Sequence, residues 1–380
     1  MAEDQNTTDD AYRIQKKPLL AAVGHGAAVF AIQNLVSGPF NFVRGAKAYV
    51  MPPENRPALV KTYECRPHLP VRQAEIFFPK DYDKTSKDQL PVLFTIHGGG
   101  FVLGTPNDND DWNQTYASQH HSVVIGLNYS KAPANPFPKP IYDCEALFLA
   151  ALNDESLPLD RTRVALLGWS AGGNLALAAS QLESVRKHLT CIVPVYPAVD
   201  LSTESVEKAP SRQYKPELGG YRARDRDFLL DIAPTFDWAY KVPGGSSRDP
   251  LLSPLFASKD ALPKRVFLIA CELDLLAHED QRLIHKLAGR PPPPTTVGKR
   301  ETAGKGELIL DDERFHFEVS NADGSAYRWL LVPDTVHGFD QKLDVLVREP
   351  GFVEDAKIKT QKTIKIIGEW VLQAPPISAA

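Results

Sequence analysis

The 380-residue sequence predicts an α/β fold built on a mostly parallel central sheet with helices on both faces. Three observations predict it. Apolar runs of strand length alternate with helix-like segments from about residue 89 to residue 202, the pattern of parallel strands joined by crossover helices. A glycine-flanked serine, Gly168-Trp169-Ser170-Ala171-Gly172, stands where the apolar run Arg163-Val164-Ala165-Leu166-Leu167 meets the alanine-rich run Asn174-Leu175-Ala176-Leu177-Ala178-Ala179. A second apolar run, Pro91-Val92-Leu93-Phe94-Thr95-Ile96, leads straight into His97-Gly98-Gly99-Gly100-Phe101.

The elements follow in order. Residues 74–78 read as a strand after Pro52-Pro53, and residues 91–96 as a buried parallel strand. Residues 122–127 and 191–195 read as further strands on either side of the serine motif. The alternation breaks at 203–248, which holds the charged Arg222-Ala223-Arg224-Asp225-Arg226 and an aromatic helical piece from Phe228 to Tyr240. Residues 265–270 and 327–332 resume the strand pattern. Between them, about 290–326 opens with four prolines and holds the strand-like stretch 314–319. The turn Asn321-Ala322-Asp323-Gly324 then predicts a hairpin into the last strand.

The chemistry-bearing residues sit at strand ends. A Gly-x-Ser-x-Gly between strand and helix is a turn so tight that its neighbours must lack bulk, and it thrusts the serine hydroxyl outward. Gly168 and Gly172 meet that need, and Gly173 extends the small-residue stretch. Consecutive glycines after a strand let the main chain approach a substrate with its N–H groups unused, as a tetrahedral oxyanion requires. An acid and a histidine are sought later in the chain, because folds with this elbow place their triad as serine, acid, histidine. Asp274 follows the strand-like run 265–270, and His337 follows 327–332. Glu272, Asp280 and Asp334 are carboxylates near enough in sequence to compete with Asp274. His120, His121 and His278 show no paired metal spacing.

With these residues in view, the chain resembles the hormone-sensitive-lipase-like group of α/β-hydrolase carboxylesterases. The resemblance rests on 97–101, Asn128-Tyr129-Ser130-Lys131-Ala132-Pro133 with Pro136-Phe137-Pro138, and Ser170-Ala171-Gly172-Gly173-Asn174. It continues through Asp249-Pro250, Ser253-Pro254-Leu255, Leu273-Asp274-Leu275-Leu276 and His337-Gly338-Phe339, covering roughly residues 70–345. It implies the α/β-hydrolase fold with a helical cap and a Ser170–His337–Asp274 triad. The oxyanion donors it implies are Gly98, Gly99 and Ala171, with His97, Gly100, Gly168 and Gly172 as supporting motif positions. It also implies ester hydrolysis through an acyl-enzyme, with no metal or organic cofactor. Two departures stand out. The family usually carries an acidic residue where Trp169 stands, and an arginine and a glutamate in the segment holding Ser130 and Asn135.

The expected division is an N-terminal segment with cap helices at 1–60, a first core part at 61–202, a cap insertion at 203–248 and a second core part at 249–380. The stretch 290–326 counts as an insertion within that last part. A net charge of −4 leaves no electrostatic footprint for nucleic acid, and the partner that the resemblance implies is a small-molecule ester. Cys65, Cys144, Cys191 and Cys271 lack CxxC spacing, and three lie in or beside apolar runs. Buried thiols and a reducing, cytoplasmic location are therefore expected. The acidic start Met1-Ala2-Glu3-Asp4 is unlike a secretory signal. Residues 18–35 carry no Asp, Glu, Lys or Arg after Lys16-Lys17, which admits a membrane anchor. His25, Gln33, Asn34 and two glycines within the run favour a buried cap helix instead. The alternatives to a hydrolase are an acyltransferase or lyase-like enzyme on the same scaffold, or a non-catalytic small-molecule receptor.

Overall fold

The computed structural model describes residues 11–65, 72–83, 85–86, 88–294, 306–341 and 349–377. Nine strands form one sheet in the order β1-β2-β4-β3-β5-β6-β7-β9-β8. They are β1 (Leu59–Tyr63), β2 (Arg72–Phe77), β3 (Leu90–Ile96), β4 (Val123–Leu127), β5 (Leu159–Trp169), β6 (Cys191–Val195), β7 (Arg265–Cys271), β8 (His316–Ser320) and β9 (Ala326–Val332). The six strands from β4 to β9 in that order are mutually parallel, whereas β1, β2 and β8 run antiparallel to their neighbours. The hairpin predicted across 321–324 is present as β8 and β9. Part of the 290–326 insertion lies outside the described residues.

Eight longer helices accompany the sheet: α1 (Leu19–Phe30), α2 (Gly38–Val50), α3 (Asp110–Gln119), α4 (Lys139–Leu152), α5 (Ala171–Ala179), α6 (Leu229–Tyr240), α7 (Ala277–Ala288) and α8 (Pro350–Leu372). Because strand side chains alternate between faces, the sheet carries a core on each side. Phe94, Leu166, Ile192 and Leu268 pack into one, with α4, α5 and α7. Leu93, Leu167, Val193 and Phe267 pack into the other, where α8 contributes Ile364, Ile367 and Trp370. The near-continuous apolar strands are the signature of a parallel sheet covered on both faces.

Strand register positions the site. Ile96 of β3 lies opposite Gly168 of β5, so the chain leaves both strands side by side at His97 and Trp169. Trp169 lies opposite Val195, and Cys271 opposite Val332. The loops after β3, β5, β6, β7 and β9 therefore emerge at one edge, where open α/β sheets bind ligands.

Candidate active site

Ser170 joins β5 to α5 with φ 54° and ψ −119°, a backbone conformation that costs a non-glycine residue on the order of 1–3 kcal/mol. Its N–H donates to Val195 O at 2.9 Å. One fully buried strand residue such as Leu166 supplies a comparable stabilisation of about 1.5–3 kcal/mol, so the core on both sheet faces can hold the strain. The flanking glycines are steric necessities. A β-carbon on Gly172 would collide with the carbonyls of Ile96 and His97, and one on Gly168 with the carbonyl of Gly172. α5 can thus approach the β3 end closely only where side chains are absent.

The structure brings Ser170, His337 and Asp274 together. His337 Nε2 accepts from the Ser170 hydroxyl at 2.8 Å, and His337 Nδ1–H donates to Asp274 Oδ2 at 2.7 Å. Asp274 Oδ1 accepts the Leu276 N–H at 3.0 Å, which orients the carboxylate. Asp274 is 1% exposed and His337 is 9% exposed. Burial alone would depress the imidazole pKa. The Asp274 carboxylate, its hydrogen bond and the charges of Asp227 and Asp340 outweigh that and raise it above the ordinary value.

Two of the competing carboxylates, Glu272 and Asp334, are engaged elsewhere. Lys215, from the 203–248 segment, inserts its ammonium between Glu272 Oε2 (2.8 Å) and Asp334 Oδ1 (2.5 Å). Glu272 Oε2 also accepts the Asp334 N–H at 2.8 Å. Asp280 is buried on α7, and burial pushes its carboxyl well above the carboxylate range. Asp227 accepts from Arg212 Nε at 3.1 Å and from Leu275 N at 3.0 Å. The same segment thus grips the loop that carries Asp274.

The glycine loop reaches the serine from the other side. A β-carbon on Gly98 would lie 3.5 Å from Ser170 Cβ, so the Gly98 backbone borders the nucleophile, and Ala171 is the first residue of α5. Gly99 (φ 110°) accepts from Val102 N at 3.1 Å and Leu103 N at 2.8 Å. Gly100 presses against the ring of Phe236 on α6, with no room for a side chain between them. Tyr129 OH donates to the carbonyls of His97 and Gly98, each at 3.2 Å. His97 Nδ1 also contacts Gly98 O, at 2.7 Å. A carbonyl can only accept, so Nδ1 carries the proton and Nε2 is left as acceptor for the Lys131 ammonium at 3.2 Å. Burial and the Lys131 charge hold His97 well below the usual imidazole range. Burial also pulls Lys131 down to about 7.

Sequence reasoning missed several of these residues. Tyr129 and Lys131 lie in a motif quoted for family resemblance, without a role. Asp340 follows His337 by three residues. It accepts from Trp169 Nε1 at 2.7 Å and from the Tyr196 hydroxyl, and Tyr196 packs its ring 4.8 Å from that of His337. The missing acid at position 169 was the signal available, since an indole N–H needs a partner.

The segments expected to form a cap make specific contacts. His25 of α1 stacks on Trp238 of α6 (5.8 Å) and bonds Thr235 Oγ1 through Nδ1 at 3.0 Å. Gln33 donates to Val102 O at 2.9 Å and Ala132 O at 3.0 Å. The burial expected of 18–35 holds for one face only. Val29 of α1 is buried, whereas Leu20 is 87% exposed. Cys144, Cys191 and Cys271 are buried free thiols, and Cys65 is a half-buried one. Among the described residues, no helix is long and apolar enough to cross a membrane. No cluster of three or more His, Cys, Asp or Glu there could hold a metal ion.

A family model of the alpha/beta hydrolase fold matches residues 93–297. The chain belongs to this family, within its hormone-sensitive-lipase-like carboxylesterase group. An arylesterase of Saccharolobus solfataricus is 29% identical over 213 residues, 54% of this chain and 65% of that protein. A carboxylesterase of Mycobacterium tuberculosis is 33% identical over 137 residues, 34% of this chain and 41% of that protein. The matched region therefore spans less than two thirds of these relatives' lengths. A solved fungal esterase from Rhizomucor miehei shares the fold at a TM-score of 0.62 and 21% identity, covering 94% of this chain and 98% of its own.

Proposed function

We propose that this hydrolase cleaves carboxylic esters of small molecules by two-step acyl transfer on Ser170. The observation that carries the reading is the continuous hydrogen-bonded line from Ser170 Oγ through His337 to Asp274, at 2.8 and 2.7 Å, on a strained strand-to-helix turn. Neutral His337 takes the serine proton through Nε2 as the hydroxyl attacks the ester carbonyl. Asp274 fixes the tautomer and stabilises the imidazolium that forms. The N–H groups of Gly98, Gly99 and Ala171 receive the oxyanion, and His337 then returns the proton to the departing alcohol. Water activated by the same imidazole releases the acid.

Residues 1–60 and 203–248 act in this reading as a cap that shapes the acyl pocket. The His25–Trp238 and Gln33–Val102 contacts support it, as does the pressure of Phe236 on Gly100. Phe228, whose ring lies 6.1 Å from that of His337, and Phe236 favour an apolar substrate group.

A series of p-nitrophenyl esters of rising acyl length tests the reading alongside an organophosphonate probe. The expected result is ester turnover that stops in step with labelling of Ser170 alone. Turnover that survives complete labelling, or a label mapped to another serine, overturns it. Product analysis with a competing alcohol separates hydrolysis from acyl transfer.

A further inference from the structure

Ten of the nineteen exposed large hydrophobic side chains among the described residues fall between Leu19 and Met51. On α1, Leu20, Val23, Ala27 and Phe30 recur at three- and four-residue spacing and are all exposed, which places them in one outward stripe. The opposite face carries the His25 and Val29 contacts that fix the helix to the body, and Gln33, just past its end, adds hydrogen bonds to Val102 O and Ala132 O. On α2, Phe42 is 77% and Tyr49 is 90% exposed, while Arg44 ties the helix to Asp108 (2.5 Å) and Thr105 (3.0 Å). So many exposed large apolar side chains in one 33-residue stretch mark an interaction site.

Charge identifies the partner. Between Ala11 and Pro53 the chain has no Asp or Glu but carries Arg13, Lys16, Lys17, Arg44 and Lys47, in a protein whose net charge is −4. Lys16 and Lys47 are exposed and make no ion pair with the described residues. We propose that the α1–α2 pair docks on an anionic lipid surface, lying in the headgroup region with its Leu, Val, Phe and Tyr side chains inserted. Amphipathic helices that combine a cationic complement with large apolar side chains bind in this way without spanning the bilayer. Neither helix is long and apolar enough to cross. Lys17 pairs with Glu204 and Arg44 with Asp108, so Lys16 and Lys47 carry the uncompensated charge. A second copy of the chain fits the patch less well, because a two-fold contact would bring two such pairs of lysines together.

Flotation of the full-length protein with vesicles of equimolar phosphatidylcholine and phosphatidylglycerol tests the proposal. Phosphatidylcholine vesicles serve as the neutral control. The protein should float with the anionic vesicles, partition far less to the neutral ones, and be largely released by molar salt. Replacing Leu20, Phe42 and Tyr49 together by serine should abolish flotation without changing the thermal unfolding midpoint, since all three side chains face solvent. Lys16→Gln with Lys47→Gln should weaken partitioning about fivefold per lysine removed. Full-length protein that stays at the bottom of the gradient with both vesicle types overturns the proposal. Light scattering that shows a dimer, dissociated by the triple serine variant, together with absent flotation, assigns the face to a second copy instead.

Discussion

The loops after β7 and β9 and the loop after β3 converge on Ser170 but are held by different means. On the triad side, side chains do the positioning. Asp274 is held by His337 and the Leu276 N–H, while Lys215, Glu272 and Asp334 form a separate buried cluster at the loops that carry Asp274 and His337. Each named contact runs between charged or polar side chains, or from a backbone N–H to a carboxylate. On the glycine side, the proposed working groups are backbone N–H donors, and they would be aimed indirectly. A peptide unit is planar, so fixing its carbonyl fixes its N–H in the opposite direction. Tyr129 and His97 pin the carbonyls of His97 and Gly98, which turns the N–H groups of Gly98 and Gly99 away from them. Lys131 in turn holds His97. Side-chain catalysis leaves a motif in the sequence. Backbone catalysis leaves only glycines, and the groups that aim those glycines are scattered.

The sharpest break of the triad side is removal of the proposed nucleophile. Ser170→Ala should lower ester turnover by about 10⁶ while binding of substrate survives. Single-turnover kinetics would check this, and retention of near-wild-type turnover would remove the basis of the proposed function.

Next comes the orienting acid. Asp274→Asn should cost about 10⁴ in kcat through the wrong imidazole tautomer. Glu272→Gln and Asp334→Asn should cost far less, because both carboxylates face Lys215. The pH profile sharpens the test. His337 must be neutral to accept the serine proton, and its pKa is raised, so kcat/KM is lost as pH falls through a value above the ordinary imidazole one. Removing the Asp274 charge should move that acid limb downward. A larger loss in Glu272→Gln or Asp334→Asn than in Asp274→Asn would reassign the acid.

Lys215 probes stability on the same side. Lys215→Met leaves Glu272 and Asp334 as buried carboxylates without their shared cation, and breaking a buried pair from one end costs about 3–5 kcal/mol. Urea denaturation should show a loss of that size. A change below about 1 kcal/mol would mean that the two carboxylates find other compensation.

Legibility in the sequence followed the same division. The strands β3 to β7 and β9, the elbow and the chain order of Ser170, Asp274 and His337 were readable, because burial on both faces writes apolar runs and a tight turn demands glycine. Strand β1 was not read: Leu59–Tyr63 is a mostly exposed edge strand, and Leu59 and Val60 face solvent, so the sequence shows no alternation between a buried and an exposed face. Nor was α8 assigned, although Phe352, Ala356, Ile364, Ile367 and Trp370 recur at helical spacing and complete one core, because Lys359 and Thr363 interrupt the apolar stripe on the same buried face. The choice among Asp274, Glu272 and Asp334 depended on Lys215, which lies 57 residues before the nearest of them and reaches them only through the fold.

The smallest expected effect tests the glycine side through Lys131. Its ammonium reaches His97 Nε2 at 3.2 Å, Asn128 Oδ1 at 3.1 Å and Tyr129 O at 2.5 Å, and it sits 3.7 Å from the Tyr129 ring centre. Burial draws its pKa down to about 7, and the surrounding Cys144, Arg72, Asp108 and Asp143 modulate it. The ammonium is therefore present below about pH 7 and lost above it, opposite in sign to the requirement for neutral His337. Removing an oxyanion donor outright costs about 10²–10³ in kcat. Loosening the loop that aims one should cost less, about tenfold. Wild-type kcat is thus expected to fall by about tenfold on the alkaline side of pH 7. Lys131→Arg keeps the cation at all accessible pH and should abolish that limb. Lys131→Met should show the lower rate throughout, with KM little changed, because the loop acts on the transition state rather than on substrate binding. An alkaline limb that persists in Lys131→Arg would assign it to another group and leave Lys131 a packing role.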